Sequence, residues 1–485
     1  MKTMRVLSLF ILILFIVSCL AFTSCGEKSG DGGQGEVTVG DVDPFLSALA
    51  EDGFTVQEGK LETFNVIDMY NAGIIPSCYG NNAQAPYMVY KLPESPGQTA
   101  PNTISDAPLK PENKGLWGDY RLRRDEAIVY IGPTPPECDY LSYRSYLGVR
   151  YFPEEGRARR VFGSLGDSLN NLTIKTTGTP DGAAGDVFGN TTVIITCADK
   201  SIDQRVRDAL RSAGYSMNVV NTDVIPQQLV KMGLEADTDT FVFIHRLAFF
   251  QDEQAGEDYM NSAQGVVFRL TPQEVDQPDP FEVPELRVRG TGDTSELDLA
   301  GALEELRQAI LEKHGGLQAT ELETSIWLLQ GYDAIQRGTD ALGDNNDAVY
   351  LRTDEFTLGD DPQEFLIVYG VNHTAIGKSI YNNFSVYGAD IFNGVAGKEN
   401  ETFAGSAEEY LPDNPAAQYL YVCKVARDAG GDPNCVELPT GPGAYGVPLD
   451  AQAFIGYRIY LEEETKTGPF WFELLYDRVI KFSPQ

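Results

Sequence analysis

The chain has 485 residues and a formal net charge of −34, from 71 acidic against 37 basic side chains. Such an excess of negative charge repels nucleic acid and anionic lipid, which excludes binding to either by bulk electrostatics. The length, with 42% hydrophobic residues, is enough to bury a substantial core in one large unit or in several domains.

Lys2 and Arg5 precede the apolar run VLSLFILILFIV, and SCLAFTSCGEKSG follows. A positive start, about a dozen apolar residues and a small-residue site read as a secretory signal, whereas a spanning helix needs roughly 20. FTSCG resembles the lipobox of lipoprotein signal peptides. The resemblance implies that Cys25 becomes the lipidated first residue, with Cys19 as a competing cleavage point. The Gly-rich run GEKSGDGGQGEVTVGD then serves as a flexible tether. Residues 1–25 are therefore expected as signal and 26–42 as tether. The rest is expected on the outer face of a prokaryotic membrane or in the periplasm, held through the lipid.

Residues 43–180 begin with a short helix, DPFLSALAEDG, and continue as aromatic strands between Pro and Gly turns, among them APYMVYKLP, EAIVYIGPTPP and YLSYRSYLGVRYF. Residues 181–285 change character. TTVIITCA is a buried strand and Ser201 opens a helix that Gly214 ends; MNVVNTDVI, PQQLVKMGL and TFVFIHRLAFF follow as strand, short helix and strand. Residues 286–346 read as a helical pair: SELDLAGALEELRQAILEKH, then a second helix from Thr320 with Glu323 closing a capping box. Residues 347–485 return to β, with EFLIVYG, NFSVYGADIF, QYLYVCKVA and AFIGYRIYLEE. The predicted fold class is α+β, mostly β: aromatic-rich antiparallel sheets with a central β-α-β-α-β layer and a helix pair, and no internal repeat.

Setting the leader aside leaves an odd set of cysteines in an oxidising compartment. Cys423 with Cys435, and Cys78 with Cys138, are the expected disulfides, with Cys197 a buried thiol. Metal chemistry is poorly supplied: three separated histidines and no CxxC or HExxH leave no recognisable zinc site. Calcium is the one cofactor the oxygen-rich ALGDNNDAVY stretch and the 181–186 turn admit, although neither has the DxDxDG spacing.

The stretch VFGSLGDSLNNLTI contains Gly166, Asp167, Ser168 and Leu169 and resembles the opening block of the GDSL hydrolases. The resemblance covers those few residues and implies ester hydrolysis with Ser168 as nucleophile. The family's later blocks are not matched: GDNND at residues 343–347 has one residue too many for GxND, and no histidine has Asp three positions before it. His373 is the candidate base on this reading. In EFLIVYGVNHTAIGKSI a P-loop would need Gly where Asn372 stands. Asn372, His373 and Lys378 instead form a polar turn suited to ligand contact.

Tyr143, Arg144, Tyr146 and Arg150 lie along one strand, whose alternation lets some of them share a face, and His245 with Arg246 lies in another. Tyrosine and arginine together stack on sugar rings and grip carboxylates. The expected activity is binding of a polar small molecule or glycan through these residues. A secreted serine hydrolase and a structural cell-surface component are the alternatives.

Overall fold

The computed structural model describes residues 42–262, 265–274, 277–328 and 330–485. The expected signal peptide, Cys25 and the tether to residue 41 lie outside them. Among the described residues no helix is long and apolar enough to cross a membrane.

The N-terminal half lays down α1 (Asp43–Glu51), β1 (Phe54–Thr63), α2 (Val66–Asn71), β2 (Tyr87–Lys91), β3 (Ala127–Pro133), β4 (Cys138–Phe152), β5 (Arg157–Ser164), β6 (Leu169–Asn170), β7 (Thr191–Cys197), α3 (Lys200–Ser212), β8 (Val220–Val224), β9 (Thr240–Phe250), α4 (Glu253–Asn261) and β10 (Val266–Pro272). Its strands join in the order β5-β4-β9-β2-β1-β10-β3-β7-β8, with β6 also on β4. β1 is shared: Phe54–Gly59 pairs with β10 and Lys60–Thr63 with β2. The alternation of the strands sends Tyr90, Tyr130, Tyr143, Phe241 and Phe243 into one core. Apolar and aromatic side chains from both leaves of the sheet meet there.

The C-terminal half follows with α5 (Ala300–Lys313), β11 (Gln318–Leu322), β12 (Thr324–Ile326), α6 (Gly331–Arg337), β13 (Ala348–Thr353), β14 (Phe365–Val371), β15 (Tyr381–Gly388), β16 (Asn393–Glu399), β17 (Leu420–Ala426), β18 (Cys435–Glu437), β19 (Ala453–Tyr460) and β20 (Arg478–Ser483). They form two sheets, β11-β20-β14-β17-β18 and β16-β15-β19-β13-β12. Leu366, Val368, Tyr421, Ile455 and Tyr457 fill the core that joins these two sheets. Leu303, Leu306 and Ile310 of α5 cover the other face of β14, around Phe365 and Ile367.

The two halves repeat one another. Each strand order becomes the other when β11 and β12 together stand for β1. The registers agree: Tyr87 lies opposite Arg246 as Tyr350 lies opposite Arg458, and Tyr130 opposite Val267 as Val368 opposite Val479. β7 runs parallel to β8 as β17 runs parallel to β18. Phe64 N donates to Tyr87 O at 2.9 Å, as does Trp327 N to Tyr350 O. Even the left-handed backbone positions coincide, at φ 59° and 52° for Tyr79 and Leu342, and 50° and 51° for Phe249 and Leu461. The absence of a repeat expected from sequence is thus corrected.

The halves also exchange segments. Cys78 and Gly80 donate backbone hydrogen bonds to Ile391 and Phe392 of the other half, at 2.8 and 2.9 Å. Ala341 and Gly343 donate to Val161 and Phe162, both at 2.8 Å. Reciprocal contacts of this kind are the mark of an isologous, two-fold-like interface. Tyr140 and Tyr381, Ala85 and Ala348, and Ala248 and Tyr460 are corresponding pairs that form the apolar cluster between the halves.

Three further expectations are corrected. The helix starting at Thr320 is not formed: residues 318–322 pair with β20 and 324–326 with β13, leaving only the short α6 beyond. Of the central β-α-β-α-β layer, β7, α3 and β8 form, but residues 226–230 make turns instead of a second helix and β9 pairs with β4 and β2. Neither disulfide exists, since Cys78, Cys138, Cys197, Cys423 and Cys435 are all free. Cys423 and Cys435 do lie on the neighbouring strands β17 and β18, where Cys435 is opposite Lys424.

Candidate functional site

An open cleft with a cavity volume of about 100 Å³ lies where the halves meet. Its floor is the outer face of β2 and β9, presenting Val89, Val242 and Ile244, with Phe64 and Phe162 beside them. Tyr350, Arg458 and Tyr460 of the other half close one side. Ile104, Gly118 and Asp119 supply another wall, from a segment that only this half possesses. Tyr120 bridges Phe241 just as Phe356 bridges Ala453, yet residues 92–119 separate β2 from Tyr120 where only 354–355 separate β13 from Phe356.

Arg246 and Arg458 are the corresponding arginines of the two halves, and both line the cleft. Arg246 donates to the Tyr146 hydroxyl and, at 2.5 Å, to Gly343 O. Arg458 donates to the Tyr387 hydroxyl and, at 2.6 Å, to Gly80 O. Each guanidinium therefore holds the carbonyl of the segment received from the other half. Guanidinium remains charged in any protein setting, and a buried charge normally has a counter-charge. Among the described residues neither arginine has a carboxylate at ion-pair distance. At the rim Arg160 lies over the Tyr79 ring, 4.2 Å from its centroid, and pairs with Asp340.

Asp119 is the acidic group of the cleft. Its carboxylate accepts Thr103 N at 2.9 Å and Ile104 N at 2.6 Å. Burial raises its pKa, and these bonds oppose the rise.

The other expected site residues lie elsewhere. Tyr143 is fully buried and stacked on His245 at 3.9 Å, with His245 Nδ1 bonded to Ser142 O at 3.1 Å. Burial pushes the His245 pKa down to about 3. Arg144 pairs with Asp223 at 2.9 Å and Arg150 with Asp239 at 2.7 Å. Tyr146 sits behind Arg246, so of the expected tyrosine and arginine set only Arg246 reaches the cleft. The set makes core contacts, not an aromatic surface.

The expected catalytic pair is not assembled. Ser168 is buried, and its hydroxyl donates to Asn345 Oδ1 at 3.0 Å. Asp167 accepts from Asn346 Nδ2 at 2.6 Å and from Arg287 N at 2.8 Å. The GDSL and GDNND stretches do meet, but as a clasp: Asp344 bonds Ser164, and Asp347 bonds Tyr140 and Asn170. Burial raises Asp344 to about 6 and Asp347 to about 7. Among the described residues no group of three or more His, Cys, Asp or Glu is arranged to hold a metal, and these carboxylates are spent on protein donors.

His373 and Lys378 belong to a separate buried network. His373 Nδ1 meets Glu296 Oε1 at 2.5 Å and Nε2 faces Asp477 at 3.5 Å. Burial opposes the imidazolium, but Glu296 and then Asp477 outweigh it and raise the pKa to about 10. Lys378 Nζ donates to Glu462 at 2.6 Å and to Glu473 at 2.5 Å, while Asn372 Oδ1 accepts from Thr374 at 2.8 Å. With Glu296, the network ties the segment entering α5 to the C-terminal half.

No protein-family model matches the chain, and no curated protein matches it either. Among solved structures it is similar to the VPA0106 protein from Vibrio parahaemolyticus, with 13% identity over 76% of this chain and 88% of that one, at a TM-score of 0.36. It is also similar to an uncharacterised protein from Burkholderia cenocepacia, with 12% identity over 91% of this chain and 86% of that one, at a TM-score of 0.35. Likeness at this level does not define a shared fold.

Sequence reasoning missed Arg458, Tyr350, Tyr460 and Asp119. Arg458 in GYRIY carried one readable signal, since it occupies the place of Arg246 in IHRLA.

Proposed function

We propose that the chain is a lipid-anchored extracytoplasmic protein that binds a small ligand in the cleft between its halves. The observation that carries this reading is an apolar cleft lined by two arginines that, among the described residues, have no carboxylate at ion-pair distance. Pockets that hold small molecules are concave and mostly apolar, with a few convergent polar groups fixing orientation. Such walls favour a ligand with an apolar body and an acceptor group for the arginines over a fully hydroxylated sugar. The leader and Cys25 support the anchoring. The hydrolase reading gains nothing from Ser168, whose hydroxyl is bonded to Asn345 with no histidine beside it.

Thermal unfolding of the purified protein against a panel of organic acids, sugars and peptides tests the binding. A ligand at 100 times its Kd is expected to stabilise the native state by about 2.7 kcal/mol. No shift across the panel would overturn the reading. Incorporation of labelled lipid into the wild type and not into Cys25→Ser is the expected outcome for the anchor.

A further inference from the structure

The repeat supplies information about the cleft that neither half gives alone. The counterpart of the cleft's floor in the C-terminal half is the outer face of β13 and β19, and it is filled. Trp327 stands in the place of Phe64, as their matching backbone bonds to Tyr350 and Tyr87 establish. Its indole meets Phe454 edge-on at 5.1 Å and Tyr387 at 5.3 Å. Phe454 replaces Val242, and Tyr387 replaces Tyr146. Gly456 replaces Ile244, and a Cβ there would lie 3.0 Å from the indole. Arg458, the counterpart of Arg246, lies 5.9 Å from the ring. A Cβ on Gly80, the counterpart of Gly343, would lie 3.2 Å from the same ring. The neighbours of the indole are thus counterparts of residues that line or back the open cleft.

We infer that the open cleft takes a planar aromatic molecule bearing a carboxylate, seated as the Trp327 indole is seated in the other half. The inference rests on the reading of the cleft as a binding site and names its ligand class. The flat ring follows from the occupant of the filled copy. The carboxylate follows from Arg246 and Arg458, which line the open copy and, among the described residues, have no carboxylate at ion-pair distance. In the filled copy Trp327, at the position of Phe64, lies over the face that Phe64 leaves open.

Indole-3-acetate and its saturated-ring analogue cyclohexylacetate serve as probes, titrated calorimetrically into the full chain. The expected result is one site for indole-3-acetate and at least about tenfold weaker binding of cyclohexylacetate. Two variants exchange the copies. Phe64→Trp/Val242→Phe/Ile244→Gly gives the N-terminal face the residues of the filled copy and is expected to abolish binding. Trp327→Phe/Phe454→Val/Gly456→Ile does the reverse and is expected to bind a second molecule, with thermal unfolding reporting that each variant is folded. Equal affinity for cyclohexylacetate would overturn the aromatic inference while leaving the cleft as a site. Binding only by the opened variant would instead remove the open cleft as the site. Absence of binding to the wild type and to the opened variant would overturn both.

Discussion

Arg246 and Arg458 do the same work from opposite sides of the interface, each gripping a glycine carbonyl delivered by the other half. Removing either leaves a tyrosine hydroxyl and a backbone carbonyl unpaired in a buried setting, at about 1–3 kcal/mol per group. Arg246→Met and Arg458→Met should therefore each lower stability by roughly 2–6 kcal/mol. Because both hold one interface, the double variant should lose less than the sum in urea unfolding. Strict additivity would mean that the clasps act independently.

The histidines give opposite pH signatures. His245, held neutral with its pKa pushed down to about 3, contributes stability that is present above the unfolded value near 6.5 and is lost as pH falls toward 3. The difference between wild type and His245→Phe should shrink by about 2 kcal/mol between pH 7 and pH 5. His373, raised to about 10, contributes stability that is complete below pH 6.5 and is lost as pH climbs through 10. Its loss should appear as an alkaline decline that His373→Gln lacks. Asp347 works against His245 in the acid range: raised to about 7, it favours the fold as pH falls. Only differences between variants, not the wild-type curve alone, separate the two.

At the scale of elements, sequence periodicity located most strands because a half-buried strand writes its alternation locally. β7, β9, β17 and β19 lie within runs read as strands, and β14 overruns EFLIVYG by one residue. It failed for QATELETSI. There the capping-box spacing of Thr320 and Glu323 is present, but β20, far along the chain, offers a ladder that Gln318–Leu322 joins instead. Local propensity is a weak prior against such a partner. The repeat was illegible for a related reason. Between β1–β2 and β11–β13 the identities are reduced to Glu58/Glu321, Gly80/Gly343, Asn82/Asn345, Ala85/Ala348 and Tyr87/Tyr350. Of these, Gly80 and Gly343 are demanded by backbone at φ 72° and 70° beside an aromatic ring. The tyrosine-arginine strand was visible as a pattern, but its burial was not, because alternation alone does not say which faces are covered. α5 was legible, and its Leu306 is fully buried. Leu306→Ala should cost about 2–5 kcal/mol through the cavity it leaves, measured by denaturant midpoint.

For the molecule as a whole, the exchange of residues 78–80 and 341–343 makes the halves mutually dependent. Residues 42–285 expressed alone would present the edge of β5 without its partner segment, and residues 286–485 the edge at Ile391 without Cys78. Unpaired edges of this kind invite association with other chains. Each piece alone should be aggregation-prone and lack a sharp unfolding transition, whereas co-expression should recover a complex with one cooperative transition. Two separately folded, soluble halves would refute the dependence.

The same exchange sets a clock on biogenesis. Val161 and Phe162 leave the ribosome long before Ala341 and Gly343, and at 5–20 residues per second the interval is roughly 10 to 40 s. Throughout that time the nascent N-terminal half has neither its second clasp nor its finished cleft. A chain stopped before residue 341 cannot mature, however complete its first core. Maturation then waits further for Ile391 and Phe392, which complete the other clasp, and for Arg458 and Tyr460, which close the cleft.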